Sequence, residues 1–155
     1  MITPFLWFDG HAEEAMNLYC SIFKNSKVGS INRYGPEGPG EGGSVMTVTF
    51  ELDGQEFIGL NGGPQFKFTP AISFVVSCAT QREVDDYWDK LSAGGETNQC
   101  GWLTDKFGLS WQVVPSILGE LLSGEDGEKS AAVMKAMLQM TKMDIAALQR
   151  AYDEA

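Results

Sequence analysis

A chain of 155 residues, 43% of them hydrophobic, can bury the core of one domain or of two small fused modules. Its formal net charge of −10 disfavours sequence-independent binding to nucleic acid or to an anionic membrane, since both need clustered basic residues. No apolar run approaches the roughly 18 residues of a membrane span, and no basic region precedes an apolar run at the N-terminus. We therefore expect a cytoplasmic protein.

The first half of the chain is predicted to run strand, helix and then three strands. Residues 5–8 form a continuous apolar run of strand type. Apolar residues at three- and four-residue steps over 12–23 predict a helix, with Asp9 as its N-cap. A glycine-rich stretch over 35–43 interrupts the strands that follow, and Asp53-Gly54 is typical of a hairpin turn. The three strands are expected over residues 28–34, 45–52 and 57–60.

The second half repeats this order at a spacing of about 70 residues. A strand is expected over 71–77, and a helix follows in which Thr80 and Glu83 form a capping box. That helix is predicted to end at Gly94-Gly95. A short strand near 97–103 and a final strand ending at Pro115 complete the half.

The last two strands are expected to form a hairpin around Asp105-Lys106-Phe107-Gly108, with the glycine supplying the positive φ of the turn. Strand alternation places Trp111 on one face and Gln112 on the other. Gln112 is a neutral amide among large apolar neighbours. The function of the protein depends on that residue being Gln and not Glu or His.

Beyond Pro115 the pattern is wholly helical, and we expect this tail to pack on the sheet or on a second subunit. Four methionines recur at three-residue steps, which is typical of a packing or subunit-contact stripe. They are Met134, Met137, Met140 and Met143.

Several patterns approximate known chemistry without the context that the chemistry needs. The stretch 38–43 matches G-x-G-x-x-G, but a strand follows it and Pro39 removes an amide donor, so a flexible loop is favoured. His11 is the only histidine, and no partner stands at metal-ligand spacing. Three widely spaced cysteines predict reduced thiols, and Cys100 has no His or Lys nearby in sequence to activate it.

The connector between the halves carries aromatic side chains together with an amide and a cation. Such a loop could cap a small apolar or aromatic ligand. It could equally be an interface loop whose Phe66 and Phe68 fill the joint between the halves. Both interpretations remain open at this point.

Four stretches, 5–15, 60–68, 100–115 and 135–151, together resemble the PhnB-like branch of the vicinal-oxygen-chelate superfamily. This superfamily includes glyoxalase and bleomycin-resistance proteins, and part of the branch is labelled 3-demethylubiquinone-9 3-methyltransferase-like. The resemblance implies an α+β fold of paired βαβββ modules with a C-terminal helical tail, the glyoxalase/bleomycin-resistance/dioxygenase fold, usually as a homodimer. The implied boundaries are a domain over 1–115, with modules 1–62 and 68–115 joined by the connector 63–67, and a helical extension over 116–155.

In enzymes of this superfamily, four inward positions carry His, Glu or Gln side chains that bind a divalent metal. Projected onto this sequence, those positions fall at Thr3 or Pro4, near Asn61, at Ala71 and at Gln112. Only the two neutral amides could ligate, and neither supplies a carboxylate or an imidazole. The resemblance therefore leads us to expect no metal and no cofactor.

The leading hypothesis is a metal-free small-molecule-binding homodimer. One alternative is an enzyme in which Asn61 and Gln112 polarise a carbonyl while Asp105 or Cys100 moves a proton. Others are a metal-dependent glyoxalase- or dioxygenase-like enzyme, a methyltransferase as the family label suggests, and a structural dimer module. The expected ligand contacts are Trp7, Asn61, Phe66, Phe68, Cys100, Trp102, Trp111 and Gln112.

Overall fold

A computed structural model describes all residues from Met1 to Ala155 and contains two four-stranded mixed sheets and five helices. This confirms the predicted α+β fold. The chain divides into two compact units, residues 1–68 (the first unit) and 69–155 (the second unit). The module boundaries inferred from the sequence stay a prediction. The elements are β1 Phe5–Phe8, α1 Ala12–Ile22, β2 Ser26–Arg33, β3 Val45–Leu52, β4 Gln55–Asn61, β5 Ser73–Cys78, α2 Gln81–Ser92, β6 Glu96–Thr97, β7 Trp102–Thr104, β8 Ser110–Pro115, α3 Ile117–Leu122, α4 Gly127–Met137 and α5 Ile145–Asp153.

The sheet of the first unit has the strand order β1-β4-β3-β2, with β1 parallel to β4 and the other pairs antiparallel. Helix α1 covers one face, where alternate residues of β3 are buried. Gly59 of β4 lies beneath this helix, because a Cβ there would stand 3.0 Å from Val48 and 3.5 Å from Ala12. Small residues thus let the helix approach the sheet closely.

The start of α1 corrects one prediction, because Asp9 is not the N-cap. The helix begins at Ala12, the N-cap position is His11, and no side chain of that position caps the helix. The amide of Ala12 instead donates to Oδ1 of Asn61 at 2.9 Å. A residue at the end of β4 therefore satisfies the first backbone donor of α1.

The sheet of the second unit has the order β5-β8-β7-β6, with β5 parallel to β8. Helix α2 begins with the predicted capping interaction, in which Thr80 Oγ1 accepts from the amide of Glu83 at 3.2 Å. The Glu83 carboxylate accepts from the amide of Ala79 at 3.1 Å, so both groups satisfy backbone donors at this helix start. The strand expected near 97–103 is wrong as a continuous element. It is two short strands, β6 and β7, separated by a turn in which Cys100 has a φ of 58° and Gly101 a φ of 80°.

The turn between β7 and β8 is organised by the carboxylate of Asp105, which is only 3% exposed. Its Oδ1 accepts from the amides of Phe107 at 2.8 Å and Leu109 at 3.0 Å. Its Oδ2 accepts from the indole Nε1 of Trp111 at 2.9 Å. Gly108 has the predicted positive φ, 87°. The carboxylate, as much as the glycine, fixes the shape of this hairpin.

The C-terminal helices belong to the second unit, and the amide side chain of Gln81 links α2 to the start of α5. Gln81 Nε2 donates to the carbonyl of Met143 at 2.9 Å and to Asp85 Oδ1 at 3.0 Å, while its Oε1 accepts from the amide of Ile145 at 2.8 Å. The segment before α5 also pairs with the β6–β7 turn, since the amide of Cys100 donates to the carbonyl of Met140 at 2.8 Å. The tail therefore packs on its own unit.

We predict that Gln81→Ala lowers the free energy of unfolding by about 2–3 kcal/mol, because it leaves the amide of Ile145 and the carbonyl of Met143 without their partner. Urea unfolding measures the loss. Limited proteolysis should show faster cleavage between α4 and α5. Gln99→Ala, at an exposed position, is the matched control and should change stability by less than about 0.5 kcal/mol. Equal effects of the two substitutions would contradict this role of Gln81.

The contact of Asp85 in α2 with Lys142 and Gln81 adds a pH dependence to the attachment of the C-terminal segment. A hydrogen bond from Lys142, at 2.9 Å, and then one from Gln81 lower the pKa of Asp85. Because the folded-state pKa lies below the unfolded one, the contribution is present at neutral pH and is lost as the pH falls through the folded-state value. Acid should therefore weaken the attachment of the segment before α5 to α2, which limited proteolysis at decreasing pH would detect as faster cleavage between α4 and α5.

Candidate functional site

A pocket of about 680 Å³ opens in the first unit, at the edge where the carboxyl ends of β1 and β4 meet. These strands are parallel, and Phe8 pairs with Asn61 at their ends. The start of α1, the loop between β2 and β3, and the connector after β4 supply the remaining walls. Lining residues include Trp7, Asp9, Glu13, Tyr34, Gly40, Ser44, Met46, Leu60, Asn61, Gly62 and Gln65.

Trp7 forms one wall of the pocket and is held by the connector. Strand alternation turns it away from α1, opposite to the buried Leu6 and Phe8. Its indole Nε1 donates to the carbonyl of Gly63 at 2.9 Å, and a Cβ at Gly62 would stand only 2.4 Å from the ring. The glycine at position 62 is therefore required for the connector to lie flat on this ring.

Tyr34 forms a second wall, and the glycine-rich loop over 35–43 folds around its ring. A Cβ at Gly40 would stand 2.4 Å from the ring, and the amide of Gly43 donates to the carbonyl of Tyr34 at 2.9 Å. The loop joins β2 to β3, so its glycines do not open a helix. The stretch is a loop, as predicted, and hydrogen bonds hold it in shape.

Asn61 connects the walls to one another. Its Oδ1 accepts from Ala12, its Nδ2 donates to the carbonyl of Val45 at 3.1 Å, and its own carbonyl accepts from the hydroxyl of Tyr34 at 2.6 Å. Both ends of the side-chain amide are thus engaged in holding the fold. Polarising a substrate carbonyl with this amide would compete with those bonds.

The residues at the projected metal positions do not fit a divalent cation. The amide oxygen of Asn61 is engaged with Ala12, and Gln112, whose Nε2 donates to Ser73 Oγ at 2.9 Å, offers a single neutral oxygen. Proline and alanine side chains supply no ligand atom. In addition, no group of three or more His, Cys, Asp or Glu side chains lies close enough together to hold a metal.

On the face of the second sheet opposite to the buried Trp111, Trp102 and Gln112 lie side by side as cross-strand partners. Val75 pairs with Gln112 on the other side and is 61% exposed. Trp111 is only 3% exposed, and its indole donates to Asp105. One ligand surface on this sheet therefore cannot include both Trp111 and Gln112.

The other sequence-predicted contacts divide between wall, rim and core. Phe66 is 64% exposed and meets Trp7 edge-on at a centroid distance of 4.9 Å. Phe68 packs on Phe8, at 5.3 Å. The thiol of Cys100 points to the carbonyl of Met137 at 3.6 Å. Only Trp7 and Asn61, out of the eight, line the large pocket.

The pocket residues that the sequence did not predict include two carboxylates and one aromatic side chain, Asp9, Glu13 and Tyr34. The available signal was positional. Asp9 directly follows β1 and Tyr34 directly follows β2, while Glu13 lies in the first turn of α1. Strand ends and helix starts that meet at one sheet edge are where a pocket is expected in such units.

A smaller cavity of about 190 Å³ lies in the second unit beside Trp102 and Thr104. Ser110 also lines it, is 1% exposed, and has a hydroxyl without a hydrogen-bond partner. A buried hydroxyl of this kind costs free energy unless a ligand or water satisfies it.

We predict that Ser110→Ala leaves the free energy of unfolding unchanged or raises it by up to about 1 kcal/mol, because no hydrogen bond is lost. Ser73→Ala, the matched control, should cost about 1 kcal/mol because it removes the partner of Gln112. Urea unfolding of both variants tests the pair. A loss of more than about 1 kcal/mol for Ser110→Ala would mean that the hydroxyl is satisfied in solution.

Comparison with known proteins identifies the class of fold and then the family. The family model described as 3-demethylubiquinone-9 3-methyltransferase matches residues 1–114. The PhnB protein of Bacillus cereus is 43% identical, with a TM-score of 0.69 over 74% of this chain and 98% of that chain. No curated protein matches the chain.

More distant structures share the fold alone. Protein PA1353 from Pseudomonas aeruginosa is 18% identical, with a TM-score of 0.62 over 74% of this chain and 96% of that chain. The fosfomycin resistance protein FosX from Listeria monocytogenes is 17% identical, with a TM-score of 0.55 over 80% of this chain and 97% of that chain.

Fold and sequence together place the chain in the vicinal-oxygen-chelate superfamily. Within it, the chain belongs to the 3-demethylubiquinone-9 3-methyltransferase family, the PhnB-like branch. The family match ends before α3, so the three C-terminal helices lie outside the matched residues. No helix has the length and apolar character needed to cross a membrane.

Proposed function

We propose that this protein binds a small molecule without a metal and that the pocket of the first unit holds the ligand. The observation that carries the proposal is the size and make-up of that pocket. Its volume of about 680 Å³ falls within the roughly 300–1,000 Å³ of small-molecule sites. Its walls combine aromatic and aliphatic side chains with glycine backbone and a few polar or charged groups.

Trp7 and Asn61 would contact or shape the ligand site, with Phe66 at its rim. Trp102 and Gln112 offer a second candidate surface on the second sheet, near Cys100 in sequence. Phe68 and Trp111 would support these surfaces from behind. We further propose that the protein is cytoplasmic and that it forms a homodimer, which is the usual state in the family that the sequence resembles.

The family name raises methyl transfer as a function, but no residue arrangement favours it over binding. The glycine-rich loop joins two strands. Asp105, the carboxylate considered for proton transfer, accepts three hydrogen bonds that maintain the hairpin. The metal-free part of the proposal has its own test: one equivalent of zinc, nickel, manganese or iron in protein purified without chelators would overturn it.

A thermal-shift screen against metabolites and antibiotics tests the binding proposal. A ligand present at 100 times its Kd should stabilise the folded state by about 2.7 kcal/mol. Met46→Trp should abolish the shift by filling the pocket, whereas Val75→Trp, at an exposed position outside it, should not. If Val75→Trp abolishes the shift and Met46→Trp does not, the ligand binds on the second sheet instead. If no compound stabilises the wild type, the proposal fails.

A further inference from the structure

The pocket of the first unit has few hydrogen-bond donors left to offer a ligand. The indole Nε1 of Trp7 donates to the carbonyl of Gly63. The hydroxyl of Tyr34 donates to the backbone carbonyl of Asn61. The amide of Asn61 donates to Val45, and the hydroxyl of Ser44 donates to the carbonyl of Glu41. Among the neutral polar side chains of the wall, Gln65 keeps its donors and Asn61 keeps one N–H free of such a bond. A ligand that needs donors from the protein is therefore poorly served.

The acceptors of the same wall are more available. Asp9 and Glu13 both line the pocket, and both are acceptor-only groups when ionised. The wall contains no Lys, Arg or His side chain to neutralise them. The formal charge of the whole chain, −10, has the same sign and would raise the local concentration of cations.

The start of α1 does not reverse this preference. A helix N-terminus ordinarily favours an anion, through free amides and the helix dipole. Here the first amide is already capped by Asn61, and Glu13 and Glu14 stand in the first turn. The protein's own carboxyl and amide oxygens thus already offset the positive end of the helix dipole.

The rings of Trp7 and Tyr34 add a further preference for one class of ligand. With their polar atoms turned to backbone carbonyls, Trp7 and Tyr34 can present ring surface to a ligand. Ring faces attract cations and apolar groups alike. A wall of ring faces, two carboxylates and few donors is complementary to a ligand that is both apolar and positively charged.

We infer that the pocket of the first unit takes a small organic cation, an amine whose ammonium group meets Asp9 and Glu13 and whose apolar or aromatic body lies against Trp7 and Tyr34. This inference rests on the proposed binding function and adds the chemical class of the ligand. The ammonium group supplies hydrogen-bond donors to the two carboxylates, which can only accept. The body occupies the apolar remainder of the pocket.

Three probes of similar size and different charge test the class of ligand. They are 2-phenylethylamine, the neutral 2-phenylethanol and the anionic 3-phenylpropionate. Titrations followed by amide chemical shifts should give a Kd for the amine about tenfold lower than for either analogue, and the shifts should centre on Gly62 and Gly63. Asp9→Asn combined with Glu13→Gln should weaken amine binding about tenfold, since each exposed ion pair is worth up to about fivefold. The double variant should leave 2-phenylethanol binding unchanged.

Glu120→Gln combined with Glu125→Gln is the matched control, because it removes the same charge at exposed positions outside the pocket. It should change amine binding less than twofold. If the alcohol or the anion binds as tightly as the amine, or if the pocket variant and the control behave alike, the cation inference fails while the binding function stands. If none of the three probes perturbs the pocket amides, the cation inference fails, and the binding function is decided separately by the thermal-shift screen. Unchanged thermal unfolding of each double variant confirms that the comparison is between folded proteins.

Discussion

Asp105→Ala is expected to lower the free energy of unfolding by about 3–5 kcal/mol. The carboxylate is 3% exposed and accepts from two backbone amides and from the indole of Trp111. Alanine would leave those donors without their acceptor, and both Leu109 and Trp111 are buried. Urea unfolding followed by tryptophan fluorescence measures the loss and reports on the environment of Trp111 at the same time.

Two further variants make this expectation specific. Asp105→Asn keeps the size and one acceptor oxygen but turns an amide N–H₂ toward a donor, so we expect an intermediate cost of about 2–3 kcal/mol. Asp86→Ala removes an exposed carboxylate paired only with Lys90 on the same helix, and should cost less than about 0.5 kcal/mol. A loss below about 1 kcal/mol for Asp105→Ala would show that the hairpin does not depend on this carboxylate.

Much of the fold follows from local sequence patterns. The bounds of β1 and β3 match their predictions because apolar runs end there at Asp9-Gly10 and Asp53-Gly54, whose glycines have φ values of 82° and 81°. The start of α2 follows from Thr80 and Glu83, which lie within one turn of each other. In each case the determining residues are neighbours in sequence.

The errors have the opposite character, because the determining partner is far along the chain. The donor of Ala12 is satisfied by Asn61, 49 residues away, so the sequence around α1 could not show that Asp9 is not its cap. The break between β6 and β7 places the non-glycine Cys100 at positive φ. Its thiol meets the carbonyl of Met137, 37 residues away, and its amide bonds to Met140 in the same segment. Local propensity gives no warning of either contact.

The candidate site shows the same division. Strand alternation alone separates Trp111 from Gln112, and the structure places them on opposite faces as that rule requires. The large pocket was less accessible to sequence reasoning. The position of Tyr34 after β2 and of Glu13 in the first turn of α1 was visible in the sequence, but the folding of the β2–β3 loop around the Tyr34 ring was not. Such loop geometry depends on tertiary packing.

Asn61→Ala is the second substitution with a large expected effect, a loss of about 2–3 kcal/mol in the free energy of unfolding. It removes the acceptor of the first amide of α1 and the donor to the carbonyl of Val45. A lost cap alone costs about 1 kcal/mol, and the unpaired carbonyl adds to it. Because both bonds fix walls of the pocket, we expect ligand binding to weaken together with stability. Urea unfolding and amide hydrogen exchange at the start of α1 measure the two parts.

Asn61→Asp separates these contributions. The carboxylate can still accept from Ala12, where the positive end of the helix dipole favours it, but it would face the carbonyl of Val45 without a proton to donate. Protection of the first turn of α1 should therefore survive in Asn61→Asp and disappear in Asn61→Ala. Asn17→Ala, exposed in the middle of α1, should stabilise slightly through helix propensity and serves as the control. If Asn61→Ala leaves the first turn as protected as Asn17→Ala does, Asn61 does not cap α1, and the pocket wall is held by other contacts.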